Sequence, residues 1–138
     1  MLLISLTREN IQKNLLDYFF TQCKYYTVIY PASSNAEDEK ENPLLTKKSD
    51  FLLLKEITIS PWAEMKNSIA ISGPLTQQAK AIFYSSLKAK GLWQYKLYSD
   101  CMDILFEVND FDIGVINISD SACDKLIKQD IISLNDFF

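Results

Sequence analysis

The order in which helical and strand periodicities follow one another most constrains the fold of this chain. Apolar residues recur at intervals of three and four over residues 7–23, 75–90 and 120–129, which is typical of helices that bury one face. Short β-branched and aromatic runs predict the strands, at residues 25–30, 51–59, 68–72, 93–98, 102–108 and 111–118. Helices and strands do not alternate regularly. The order therefore predicts an α+β fold with a mixed or antiparallel sheet and two to three packed helices, forming a single domain over residues 1–138.

Turn and capping residues suggest where several elements begin and end. Gly73-Pro74 favours a helix start immediately afterwards, and Gly91 favours its end. Asn109-Asp110, between two apolar runs, predicts a two-residue hairpin turn. Ser121 and Asp124 have capping-box spacing at the start of the last helix.

The ends of the chain and one internal stretch carry weaker signals. Residues 1–6 fit a short strand or the lead-in to the first helix. Residues 31–50 are rich in Ser, Asn, Glu and Lys and contain two prolines, so they predict a long exposed loop. We expect the terminal rings of Phe137 and Phe138 to dock on the body of the domain.

Charge and cysteine content narrow the partners and the compartment. The formal net charge of −4 disfavours nucleic acid and anionic membranes, which require a basic surface, and suits a basic protein partner. The three cysteines, Cys23, Cys101 and Cys123, have no metal-site spacing and indicate reduced thiols. No run approaches the ~18 apolar residues of a membrane span, and no signal peptide is recognisable. We therefore expect a cytoplasmic protein.

The sequence offers little catalytic apparatus. Histidine, the commonest general base at neutral pH, is absent. Carboxylates cluster in sequence at Asp100, Asp103, Glu107, Asp110 and Asp112, but they lack the ligand order and central glycine of a calcium loop. We predict no catalytic residue, metal or cofactor, although a carboxylate-dependent metalloenzyme stays open as an alternative.

Two short motifs favour plain structural explanations. Glu64-Met65-Lys66 is similar to the acidic-x-Lys element of metal-dependent nucleases, but the acidic charge opposes DNA binding. Ser72-Gly73-Pro74 precedes a predicted helix and has one glycine, too few for a phosphate loop. Helix capping explains it better.

Part of the chain has a family resemblance. A strand ending in Ser, an amphipathic helix and an aromatic strand are predicted in the sequence SIAISGPLTQQAKAIFYSSLKAKGLWQYKLY. With this pattern, residues 51–98 resemble immunity proteins of bacterial polymorphic toxin systems. The resemblance implies a small cytoplasmic protein that neutralises a toxin. A second likeness, carried by LKEITISPWAEM and the final DFF, is to the psi subunit of the bacterial clamp loader. It implies an accessory subunit of a larger complex.

The aromatic content indicates how binding would be achieved. Tyr, Trp and Phe make up 12% of the chain, and Tyr and Trp commonly anchor protein interfaces. We expect occlusion of a basic toxin by acidic and aromatic side chains. The predicted partner contacts are Trp62, Trp93, Tyr95, Asp100, Asp103 and Asp110.

Overall fold

A computed structural model describes residues 1–32 and 41–138. The strands are β1 (Leu2–Ser5), β2 (Tyr25–Pro31), β3 (Thr58–Pro61), β4 (Ser68–Pro74), β5 (Tyr95–Tyr98), β6 (Ile104–Asn109) and β7 (Ile113–Ile116). The helices are α1 (Ile11–Gln22), α2 (Lys48–Leu52), α3 (Gln77–Ser86) and α4 (Asp120–Lys128), with short 3-10 turns at Pro43–Leu45 and Leu134–Asp136. The seven strands of the described ranges join one antiparallel sheet in the order β1-β7-β6-β5-β2-β4-β3. This confirms the α+β class, whereas the expected two to three helices are too few.

Strand alternation gives the sheet two different faces. One row of paired residues crosses all seven strands and is apolar throughout: Ile59, Ile71, Val28, Tyr95, Val108, Gly114 and Ile4. The neighbouring row points to the other side and is polar over five strands: Thr58, Ser72, Thr27, Lys96, Glu107, Val115 and Leu3. We call this second side the open face.

The described helices pack on the apolar face. Phe19 of α1 stacks on Phe106 of β6 with ring centroids 4.9 Å apart, and Phe51 of α2 meets Phe83 of α3 at 5.3 Å. Leu126 of α4 is buried in the same cluster. Fully burying such side chains contributes about 1.5–3 kcal/mol each, so this face holds the sheet and helices together. No helix among the described residues is long and apolar enough to cross a membrane.

Two helices begin at residues other than those the sequence suggested. Thr76 caps α3, because its side-chain oxygen accepts the Ala79 N–H at 3.2 Å. Gly73-Pro74 forms the last two residues of β4, so this pair ends a strand and does not start the helix. Ser119 caps α4 by accepting the Ala122 N–H at 3.2 Å, which replaces the predicted box of Ser121 and Asp124.

Residues 51–59 are not one strand. Phe51 and Leu52 end α2, turns follow, and only Thr58–Pro61 is extended. A short apolar run such as FLLL fits a buried helix turn as well as a strand. The predicted loop at 31–50 is also wrong in part, because Leu45 and Lys48 are buried within short helical turns. Residues 33–40 of that prediction lie outside the described residues.

The hairpin between β6 and β7 is longer than predicted. Asn109 pairs with Ile113, so the loop contains the three residues Asp110, Phe111 and Asp112 and is not a two-residue turn. Asp110 and Phe111 have φ of 49° and 69°, in the left-handed region. The Phe111 ring is nonetheless buried, with Lys90 Nζ 4.5 Å from its centroid.

The C-terminal residues cover the β1 edge of the sheet. Phe137 forms a bridge with Ile4, and the Phe138 N–H donates to the Leu3 carbonyl at 3.4 Å. Phe137 therefore docks as expected, whereas the Phe138 ring is 76% exposed. Arg8 fixes this tail, because its Nε and Nη2 donate to the two Asp136 carboxylate oxygens at 3.0 and 2.9 Å.

Gly114→Ala should destabilise the fold. Gly114 sits opposite Ile4, and an added Cβ would lie 2.8 Å from Ile4 Cγ2 and 3.1 Å from Leu6 Cδ2. Because both neighbours are buried, we expect a loss of about 1–3 kcal/mol in the free energy of unfolding, measured by urea denaturation. An unchanged midpoint would contradict the close approach of β1 to β7.

Asp136→Asn should lower stability at neutral pH. The hydrogen bond from Arg8, helped by the Ser133 N–H, holds the pKa of the Asp136 carboxyl below its usual 3.8. A lowered folded-state pKa gives stability that is present above the unfolded-state pKa and is lost as pH falls through the folded-state pKa. We expect a difference of about 1 kcal/mol at neutral pH, limited by the exposure of Arg8.

The pH profile distinguishes this carboxylate from a general charge effect. Urea denaturation should give a gap between wild type and Asp136→Asn that closes only below a pH of about 4. Asp124→Asn, at an exposed carboxylate on α4, is the control and should differ little from wild type. A gap that stays constant through the acid range would contradict the assignment to Asp136.

Candidate functional site

An ion pair lies at the centre of the open face, between two neighbouring strands. Lys96 of β5 and Glu107 of β6 are paired in register, and their Nζ and Oε2 atoms are 3.4 Å apart. Their side chains are only 11% and 21% exposed. Trp62 folds over from the β3–β4 connection, with its ring centroid 4.6 Å from Lys96 Nζ. The ring shields the ammonium group from water and adds a cation–π attraction.

A groove of about 650 Å³ opens beside this ion pair, over β2, β3 and β4. Its rings come from Tyr25, Trp62 and Tyr98. Its hydroxyls come from Thr27, Thr58, Ser60 and Ser72. Its charged residues, among those that the structure describes, are the acidic Glu56 and Glu64. We call it the aromatic groove.

The hydroxyls of the groove differ in what they can offer a partner. Thr27 and Ser72 are adjacent in the polar row and hydrogen-bond each other at 2.7 Å. Thr58 and Ser60 lie on the outer strand β3 and are exposed. The two hydroxyls on the floor of the groove therefore already hydrogen-bond each other. The hydroxyls exposed to a partner are those of β3.

One buried hydroxyl on the apolar face, behind the strands that form the groove, is without a partner among the described residues. The Tyr26 ring packs against Phe51 and Phe83 on the apolar face, the residue is 1% exposed, and its Oη makes no hydrogen bond. Burial raises the pKa of Tyr26 to about 12, so the phenol stays protonated at neutral pH. A Cβ on Gly73 would come within 3.1 Å of this oxygen, which explains the glycine at that point of β4.

The predicted contact residues do not gather at one place. Trp62 lines the aromatic groove. Asp100 and Asp103 are exposed in the turn between β5 and β6. Trp93 and Asp110 lie at the opposite ends of the same two strands, where Trp93 Nε1 donates to Asp110 Oδ1 at 3.1 Å.

The prediction for Tyr95 is wrong. Its side chain is fully buried on the apolar face, and its hydroxyl accepts a hydrogen bond from Gln12 Nε2 at 2.7 Å. The strand predicted at 93–98 is the shorter β5 near the middle of the sheet, where Tyr95, Lys96 and Leu97 are all buried. Residues of α1 and α3 cover the Tyr95 side chain, Gln12 at its hydroxyl and Phe83 at its ring, so a partner cannot reach it.

Several groove residues were not among the predicted contacts. Tyr98 alternates onto the same side as Lys96, so the sequence already indicates its face. Tyr25 joins it because β2 and β5 pair with Tyr25 opposite Tyr98. Glu56 and Glu64 flank a strand that the sequence placed too early, which concealed their relation to the groove.

Metal and thiol chemistry find little support in the described ranges. Within residues 1–32 and 41–138, no three Asp, Glu or Cys side chains gather in a way that could hold a metal ion. The cysteines form no disulfide, and burial raises the pKa of Cys23 to about 12. Cys101 is exposed, and its hydrogen bond with Asp100 raises its thiol pKa as well. Both effects disfavour the thiolate that a nucleophile requires.

A second cavity of about 750 Å³ lies between α1 and the end of α3, and its basic side chains are largely engaged. Arg8 pairs with Asp136, and Lys13 pairs with Asp17 at 2.9 Å. Lys90 lies over the Phe111 ring. Although this cavity is larger, its charges already serve the fold, so the aromatic groove is the better candidate site.

Comparison with protein-family models, with curated proteins and with solved structures finds no match to this chain. The assignment of a function therefore rests on the groove itself.

Tyr26→Phe should stabilise the protein. The substitution removes a buried hydroxyl that has no partner, and such a group costs about 1–3 kcal/mol, so we expect a gain of about 1 kcal/mol in the free energy of unfolding. Tyr30→Phe is the matched control with the opposite sign, because the Tyr30 hydroxyl donates to the Thr46 carbonyl at 2.6 Å. Urea denaturation of both variants measures the two shifts. A loss of stability in Tyr26→Phe would contradict an unpartnered hydroxyl.

Proposed function

We propose that this chain is a protein-binding module that contacts its partner through the aromatic groove. One observation carries the proposal: Tyr25, Trp62 and Tyr98 meet on a sheet face that the described helices leave uncovered. Tyr and Trp combine a large apolar area with a polar tip, and they dominate the energetics of many interfaces.

The charge of the groove favours a protein over a nucleic acid. Glu56 and Glu64 would repel phosphates, and Lys96 is already engaged by Glu107 and covered by Trp62. Stacking of single-stranded nucleic acid needs basic residues among the rings, and the groove has none among its described lining residues. A protein segment carrying positive charge can pack against the rings and form ion pairs with Glu56 and Glu64.

The finer proposal is an immunity or antitoxin-like inhibitor that acts by occlusion in the bacterial cytoplasm. The family resemblance over residues 51–98 supports it, and this segment supplies most of the groove: β3, β4, Trp62, Glu56, Glu64 and Tyr98. The net charge of −4 suits a basic toxin domain, because opposite charges accelerate association.

Co-expression with the toxin encoded beside this gene tests the proposal. The wild-type chain should restore growth. Trp62→Ala should weaken binding of the chain to the toxin about 30-fold, as expected for an interface anchor. Trp93→Ala is the matched control, because Trp93 is also half-buried but lies outside the groove. Circular dichroism should show that both variants fold.

Three results would contradict the proposal. The first is the absence of a toxin gene from the neighbourhood, and the second is the failure of the wild-type chain to protect. Both count against the immunity function. The third is equal binding of Trp62→Ala and Trp93→Ala to the toxin, which counts against the groove as the contact.

A further inference from the structure

The two outer edges of the sheet differ in what covers them. At β1, the outward Leu3 carbonyl accepts the Phe138 N–H, so the C-terminal residues occupy that edge. At β3, all four residues are exposed, and no described segment pairs with the outer side. Exposed edge strands are where an additional strand can pair.

The hydrogen-bond register identifies the groups that β3 presents outward. The Trp62 N–H donates to the Ser68 carbonyl at 2.9 Å, so the pairs Ser60–Ala70 and Thr58–Ser72 also bond inward to β4. The N–H and carbonyl of Ile59 therefore point away from the sheet. Pro61 contributes an outward carbonyl and has no N–H to leave unpaired.

The side chains around this edge specify what could pair with it. Ile59 is 52% exposed on the helix side, so an apolar residue opposite it would bury apolar surface. Thr58 and Ser60 face the open side, and the acidic residues Glu56 and Glu64 are among those that line the groove. A second copy of this chain would bring its own Glu56 and Glu64 to the same edge, and like charges disfavour that pairing.

We propose that the partner inserts an extended cationic segment that pairs with β3 as an eighth strand. An apolar residue of the segment lies opposite Ile59 and exchanges its N–H and carbonyl hydrogen bonds. The residues on either side project onto the open face, where Lys or Arg side chains meet the rings and carboxylates of the aromatic groove. This inference rests on the proposed function and specifies the chemistry and the backbone conformation of the partner.

Three synthetic pentapeptides test it directly on the full chain. The first is acetyl-Thr-Arg-Val-Arg-Thr-amide, the second has Glu in place of both Arg, and the third carries an N-methyl group on the central Val. Titrations followed by ¹H–¹⁵N correlation spectra detect binding in the millimolar range. The Arg peptide should shift the Ile59 amide and the Trp62 indole resonances. The Glu peptide and the N-methylated peptide should shift neither.

Matched variants separate the backbone from the charge contribution. Ile59→Pro removes the outward N–H, at a position equivalent to that of Pro61, and should abolish binding, whereas Ile59→Val should retain it. Glu56→Gln and Glu64→Gln should each weaken binding of the Arg peptide about threefold, as expected for exposed ion pairs. Asp124→Asn on α4 removes one charge far from the groove in sequence and should leave binding unchanged.

The inference is overturned if the Ile59 amide does not respond to the Arg peptide, or if the Glu or N-methylated peptide binds equally well. Its failure is distinct from failure of the proposed function. Protection against the toxin that survives in Ile59→Pro and in the Glu56→Gln/Glu64→Gln double variant would overturn strand addition while leaving the proposed function intact. Selective binding of the Arg peptide without any protection would support strand addition and contradict the immunity function.

Discussion

The packing of rings around Phe83 is the interaction on which the rest of the structure depends. Phe83 of α3 meets Phe51 of α2 and two sheet residues, Tyr26 and Tyr95, with centroids 5.0–5.8 Å apart. Stacking of Phe19 on Phe106 extends the same layer to α1. Aromatic side chains bury large areas, so this layer can hold α1, α2 and α3 on one side of the sheet, and Leu126 of α4 packs in the same core. The other side is thereby left to polar side chains, and a binding surface becomes possible there.

The polar row also fixes the pairing of the strands. A slip of one residue in β5 would turn Lys96 into the aromatic layer and expose Tyr95 on the open face. Burying an unpaired ammonium group costs several kcal/mol, so the native register is strongly favoured. The ion pair of Lys96 with Glu107 adds little to stability by itself, but its place in the row excludes the slipped alternative. Trp62 covers Lys96, so the same side chain contributes to the polar row that fixes the register and to the aromatic groove.

The sequence predicts features that depend on neighbouring residues in the chain, and it misses those that depend on which strands pair. Alternation in β5 correctly places Lys96 and Tyr98 on one side, and the spacing of Ile11, Leu15 and Phe19 correctly predicts α1. The strand predicted at 51–59 is wrong over most of its length, because four adjacent apolar residues carry no period that separates a helix turn from a strand. The groove was only partly predictable. Tyr25, Trp62 and Tyr98 are far apart in sequence and meet because β2 lies between β4 and β5, which is an arrangement that no local pattern encodes.

One edge of the sheet is covered and the other is exposed, and this difference limits how many further strands the sheet can add. A sheet with two competent edges can add strands without limit, which is the route to aggregation. Here the C-terminal residues occupy the β1 edge, and Arg8 holds them there through Asp136. At the other edge, Pro61 removes one outward N–H, so pairing is centred on Ile59 and stays short. Among the described strands, a single short open edge beside an acidic groove favours one partner segment of opposite charge over repeated self-association.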